Sequence, residues 1–166
     1  MLIIITNISL QAGRNSAGVL VRTNNTMTIV IDTDALVGLA NADDSHHTQA
    51  LRLAEELITR QASIHILPTT LAEFALVATT KIGLARSQKA AHHVRARYAL
   101  MDVQGDITDE ALNLYAKQTS KENSLFDCYV MIAAKRLSAD CIFSFDGGYT
   151  QNGFTLIEEF LAMHHT

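Results

Sequence analysis

The segment TIVIDTDALVGLAN, residues 28–41, runs apolar into two aspartates, Asp32 and Asp34, with no lysine or arginine anywhere in residues 23–42. This feature constrains the chain more than any other. A carboxylate at the end of a buried-type strand must be solvated, paired or bound to a cation, because an isolated buried ion costs several kcal/mol. The pattern recurs: Glu73 is the only charge in residues 66–80, Asp127 in residues 123–134 and Asp146 in residues 141–157. Uncharged stretches are the natural interior of a fold, so these acids need a reason to stand where they do.

Around them, short apolar runs alternate with helical patterns from Met27 onward, which predicts a mixed α/β domain with a mostly parallel sheet. TIVI is the first predicted strand. A helix is predicted from Ser45, where Ala50, Leu53, Ala54, Leu57 and Ile58 recur at helical spacing. SIHIL is the second strand, stopped by Pro68, after which Thr69 or Thr70 is expected to cap the helix LAEFALVATTK. A basic helix, ARSQKAAHHVRARYALM, and an extended piece at MDVQG follow. ITDEALNLYAKQT reads as a helix capped by Thr108 or Asp109, SLFDCYVMIAAKRLSA as a buried helix, CIFSF as a strand and FTLIEEF as a last short strand.

With 166 residues and 48% hydrophobic content, the chain suits one domain, expected over residues 27–160 with a short tail at 161–166. Residues 1–26 are a leader of different character, polar and rich in Gly, Asn and Ser, and Met27 is a candidate translation start. The opening MLIIITNISL is too short for a membrane span and lacks the basic flank of a signal peptide. Cys128 and Cys141 sit in apolar segments as small hydrophobes, which suits a reducing cytoplasm. The net charge of −4 opposes nucleic acid globally, so any such contact requires a local basic patch.

Asp32 and Asp146 each follow a predicted strand, which puts both at the carboxyl edge of a parallel sheet, where open α/β folds form ligand crevices. Glu73 and Asp127, near helix starts, can point to the same edge. Helix dipoles explain single acids in such places, but not four converging from separate elements. Carboxylates gathered without lysine or arginine repel one another unless protonated or neutralised by a cation, and an oxygen-only set suits Mg²⁺ or Mn²⁺. Such ions serve phosphoryl chemistry by orienting a phosphodiester and activating water.

The ordered set VIDTDALVGLAN, LPTTLAEFALV, NSLFDCYVMIAAKRLSADCIFSFD and FSFDGGY resembles the PIN-domain nucleases, particularly the toxin ribonucleases of VapBC-type toxin–antitoxin pairs. The resemblance makes Asp32, Glu73, Asp127 and Asp146 the four catalytic and metal-binding acids, with Ser144 in the Ser/Thr place before the last. It implies a three-layer α/β/α sandwich around a short, mostly parallel twisted sheet, Mg²⁺- or Mn²⁺-dependent endoribonuclease activity on RNA, a homodimer and a cognate antitoxin protein. Asp34 stands where relatives commonly carry Ser or Asn, and is expected to support the metal ligands or to join them.

For substrate contacts, Lys81, Arg86, Arg95 and Arg97, with Lys89, are the basic candidates for the RNA backbone. The adjacent pairs His46/His47 and His92/His93 point in different directions on a helix and are read as surface or packing residues. Two rival readings stand beside the nuclease. A PIN-like fold can serve as a catalytically inactive RNA- or protein-binding scaffold. The haloacid-dehalogenase-like phosphatases also begin strand–Asp–x–Asp, which would make Asp32 a nucleophile and Asp34 a general acid.

Overall fold

All four residues of the run TIVI are β-branched, and it forms the first strand, β1 (Thr28–Ile31), with Ile29, Val30 and Ile31 buried. The computed structural model describes residues 26–119, 121 and 123–164, so the expected leader lies, apart from Thr26, outside the described residues. β1 pairs in parallel with β2 (Ser63–Ile66) on one side and β4 (Cys141–Phe143) on the other, and β3 (Ala99–Leu100) extends the sheet in the order β3-β2-β1-β4. All pairings are parallel, as the alternation of strands and helices predicts.

Side chains alternate across this sheet. Ile29, Ile31, Cys141 and Phe143 enter a core shared with α1 (Thr33–Ala40), α2 (His47–Thr59), α3 (Pro68–Ile82), α4 (Leu84–Arg97) and α8 (Ile157–Met163). Val30 and Ile142 enter the opposite core with α6 (Leu125–Leu137) and Tyr149 of the short α7 (Gly148–Gln151). α5 (Gly105–Tyr115) packs on α6 through Ile107 and Ala111 against Cys128 and Ile132. The result is the three-layer α/β/α sandwich expected. Among the described residues, no helix is long and apolar enough to cross a membrane.

Several local expectations are corrected. The stretch after Asp32, read without a helix, forms α1; Thr33, Ala35, Leu36, Val37 and Gly38 are all buried, so it shows no polar face. α3 starts at Pro68 with Leu67 as N-cap and no side-chain cap, so neither Thr69 nor Thr70 caps it. Proline's fixed φ suits the first helical position. α5 starts at Gly105 rather than at Thr108 or Asp109. The extended piece expected at MDVQG lies just upstream as β3, although the Met101 N–H still bonds the Ile66 carbonyl. FTLIEEF contributes only a bridge between Leu156 and Ile142 before turning into α8, whose Ile157 and Leu161 follow the helical period into the core. α8 runs on through Met163, past Phe160.

Candidate active site

β1 is central, and the chain leaves it in one direction toward β2 and returns on its other side as β4. The carboxyl end of β1 is therefore the place where a crevice must open. Asp32 stands there. Its backbone N–H continues the ladder to the Phe143 carbonyl (3.0 Å), and its side chain caps α1, with Oδ1 accepting from Thr33 N–H (2.6 Å).

The four predicted acids and Asp34 line one cleft of about 280 Å³. They come from the end of β1, from α1, α3 and α6, and from the loop after β4. Asp127 is the third residue of α6 and forms a capping box: the Ser124 N–H donates to Oδ2 (2.5 Å) and the Asp127 N–H to Ser124 Oγ (3.3 Å). That bond uses one oxygen. The other, Oδ1, accepts from the buried Tyr149 hydroxyl (3.3 Å). Glu73 lies in the second turn of α3, beyond the first-turn positions that the helix dipole favours, and its Oε2 accepts from the Thr33 hydroxyl (2.6 Å).

Asp34 ties α1 to the loop that carries Asp146. Its Oδ1 accepts from Ala35 N–H (2.6 Å), and its Oδ2 from Phe145 N–H (2.7 Å) and Ser144 Oγ (2.9 Å). Ser144 Oγ also lies 3.3 Å from Asp32 Oδ2 and accepts from Asp146 N–H (3.1 Å). Asp146 itself is exposed, and its Oδ1 accepts from Gly148 N–H (2.8 Å).

Six of the eleven residues lining the cleft are Asp or Glu, against one lysine, Lys81. Burial, and next the charge of Asp34, push the Asp32 carboxyl up to about 8. Burial also raises Asp34 and Glu73, the charge of Asp146 adding to the first and those of Asp127 and Asp34 to the second. Among the described residues, no three His, Cys, Asp or Glu side chains already converge on a ligating point. The donor chemistry nevertheless fits a hard divalent cation. The set is all oxygen, neighbouring carboxylates add to the raised proton affinity of Asp32, Asp34 and Glu73, and Mg²⁺ needs only one or two direct carboxylates because it keeps several waters.

Of the basic candidates, Lys81 reaches the cleft, with Nζ 3.7 Å from Asp44 Oδ2. Arg86, Arg95 and Arg97 lie on α4 outside its lining. Sequence reasoning missed Thr33 and Tyr149, whose hydroxyls orient Glu73 and Asp127, and it read His46, which lines the cleft, as a surface or packing residue. The only signal for Tyr149 was its place three residues after Asp146 in FSFDGGY.

The structure resembles known folds at low sequence identity. VapC20 from Mycobacterium tuberculosis, described as a sarcin-ricin loop cleaving toxin, aligns with a TM-score of 0.70 and 20% identity over 76% of this chain and 96% of that one. VapBC2 from Rickettsia felis, bound to a DNA fragment from its promoter, aligns at 0.59 and 16% over 78% and 97%. FitAcB from Neisseria gonorrhoeae aligns at 0.54 and 17% over 77% and 95%. No curated protein sequence matches the chain. The PIN domain model matches residues 29–154, a span that begins in β1, ends just after α7 and encloses all the cleft acids, so the chain belongs to the PIN-domain family.

Proposed function

We propose that the protein is a metal-dependent endoribonuclease, the toxin of a toxin–antitoxin pair, which hydrolyses RNA phosphodiester bonds with water as the nucleophile. The observation that carries this reading is the acid-lined cleft at the carboxyl end of β1, walled by carboxylates from separate elements. Asp32, Glu73, Asp127 and Asp146 would hold Mg²⁺ or Mn²⁺, with Asp34 and Ser144 bracing the loop that carries Asp146. When bound, such a cation neutralises the phosphodiester, lowers the pKa of a bound water and stabilises the leaving oxygen.

The chain's own groups supply orientation. The Thr33 hydroxyl fixes Glu73, the Tyr149 hydroxyl fixes Asp127, and Lys81 offers positive charge to the substrate backbone. The phosphatase alternative has less support, because both Asp34 oxygens already accept backbone or Ser144 hydrogen bonds, which ties up the residue that reading needs as general acid. The likeness to VapBC and FitAB assemblies supports an antitoxin as partner. Leu76 and Leu84, 71% and 61% exposed on α3 and α4, offer apolar surface for that partner or for a second copy.

The test is cleavage of a mixed RNA pool by purified protein in EDTA, Mg²⁺ or Mn²⁺. Cutting is expected only with metal, and is expected to fall to background in Asp32→Ala and Asp127→Asn. The asparagine keeps an acceptor for the Ser124 N–H and removes like-charge repulsion, so that variant stays folded. A folded Asp127→Asn protein that cuts normally would refute the assignment.

A further inference from the structure

The acids are only part of the cleft. His46 stacks face to face on Phe145, with centroids 4.4 Å apart and planes 6° from parallel. Phe145 is fixed in turn: its N–H donates to Asp34 and its ring meets the fully buried Phe143 edge-on. Phe145 covers one ring face, and the His46 side chain, 47% exposed, lines the cleft. Asp44, only 12% exposed in its side chain, holds this group together. Its Oδ1 accepts the His46 backbone N–H (3.0 Å) and lies 3.6 Å from His46 Nδ1, while Oδ2 lies 3.7 Å from Lys81 Nζ.

We propose that His46, backed by Phe145, is a stacking platform for an unpaired base of the substrate strand, and that Lys81 contacts a backbone phosphate beside it. The inference rests on the nuclease reading and adds the residues that select the strand state. An aromatic face stacks on any base, but a base inside a duplex already has both faces covered. The platform therefore admits single-stranded or looped nucleic acid and discriminates little among bases. Asp44 is a positioning residue: it sets the spacing between the ring that takes the base and the ammonium that takes the phosphate.

The experiment reads binding apart from cleavage. Fluorescence anisotropy in EDTA measures the affinity of the full chain for a labelled oligouridylate and for a labelled hairpin duplex. The parent is expected to prefer the single strand. His46→Ala should weaken single-strand binding about tenfold, the size of one base–aromatic stack, while His46→Phe, which keeps a ring, should retain it. Lys81→Gln should lower the slope of log affinity on log salt by about 0.7, the release expected for one phosphate contact on a single strand. Thermal melting of the variants separates loss of the platform from loss of the fold. Unchanged affinity in His46→Ala overturns the proposal, and if Asp127-dependent cleavage persists the nuclease reading survives without it. A parent that neither binds nor cuts any strand overturns both.

Discussion

Asp32 shows how a single side chain links the site to the stability of the fold. Its carboxyl is raised to about 8 by burial and then by Asp34, whereas in the unfolded chain it titrates near 3.8. Between those values the native state holds a proton that the unfolded state lacks, so this contribution is complete below about pH 4 and is lost as pH rises through about 8. Asp34 and Glu73, also raised, act in the same direction. In EDTA the parent should melt at a lower temperature at about pH 8 than at about pH 5. Asp32→Asn should reduce that difference and melt above the parent at the higher pH; a parent that becomes more stable with rising pH would contradict the burial argument. Tyr149 makes a second residue-scale case. Tyr149→Phe keeps the ring in its buried seat and removes the hydroxyl that donates to Asp127 and also reaches Asp32. A lost hydrogen bond to a charged group costs about 1.5–3 kcal/mol, which urea denaturation of the metal-free protein at neutral pH can read. An unchanged midpoint would mean that the hydroxyl holds neither carboxylate.

At the scale of elements, the site depends on a close approach between α7 and the turn before α6. A Cβ on Gly148 would stand 2.5 Å from Asn123 Oδ1 and 3.2 Å from Asp146 Oδ1. Asn123 is buried and its amide donates to Gln118, so it cannot swing away freely. Gly148→Ala should therefore displace Asp146 and cut cleavage at least tenfold, while Gly147→Ala, where a Cβ meets nothing within 4 Å, serves as the control. Equal activity in the two would show that the loop yields without consequence.

The same elements mark what could be read beforehand. β1 and β4 were legible because buried parallel strands are short apolar runs, β2 because its short run ends at Pro68, and α2 because its buried Ala50, Leu53, Ala54 and Leu57 keep helical spacing. α1 was not legible, since a helix buried on nearly every side loses its periodic signal. Glu73, Asp127 and Asp146 stood out because each is the only charge in its window, and Asp32 because it shares its window only with Asp34. Thr33, Tyr149 and His46 did not, because their roles depend on contacts between segments far apart in the chain: Thr33 with Glu73, Tyr149 with Asp127, His46 with Phe145.

For the whole molecule, a net charge of −4 and a cleft walled by six acids mean that the native fold carries concentrated self-repulsion. A cation that binds this arrangement and not the unfolded chain adds RT ln(1 + [L]/Kd) to stability, about 2.7 kcal/mol at a hundredfold excess over Kd. For a domain of this size that corresponds to a rise in melting temperature of roughly 5–10 °C. Mg²⁺ or Mn²⁺ should produce such a rise in the parent, and monovalent salt at matched ionic strength should not. Asp32→Asn and Asp127→Asn should melt above the parent in EDTA, where they relieve repulsion, yet gain little from the divalent ion, so that the order of stabilities reverses as metal is added. Arg86→Ala, outside the cleft, should gain as the parent does. An equal gain in every variant would mean that the ion acts on the general field of the acidic surface and that the cleft is no metal site; a reversal confined to the cleft variants would tie metal binding to these carboxylates without any measurement of RNA cleavage.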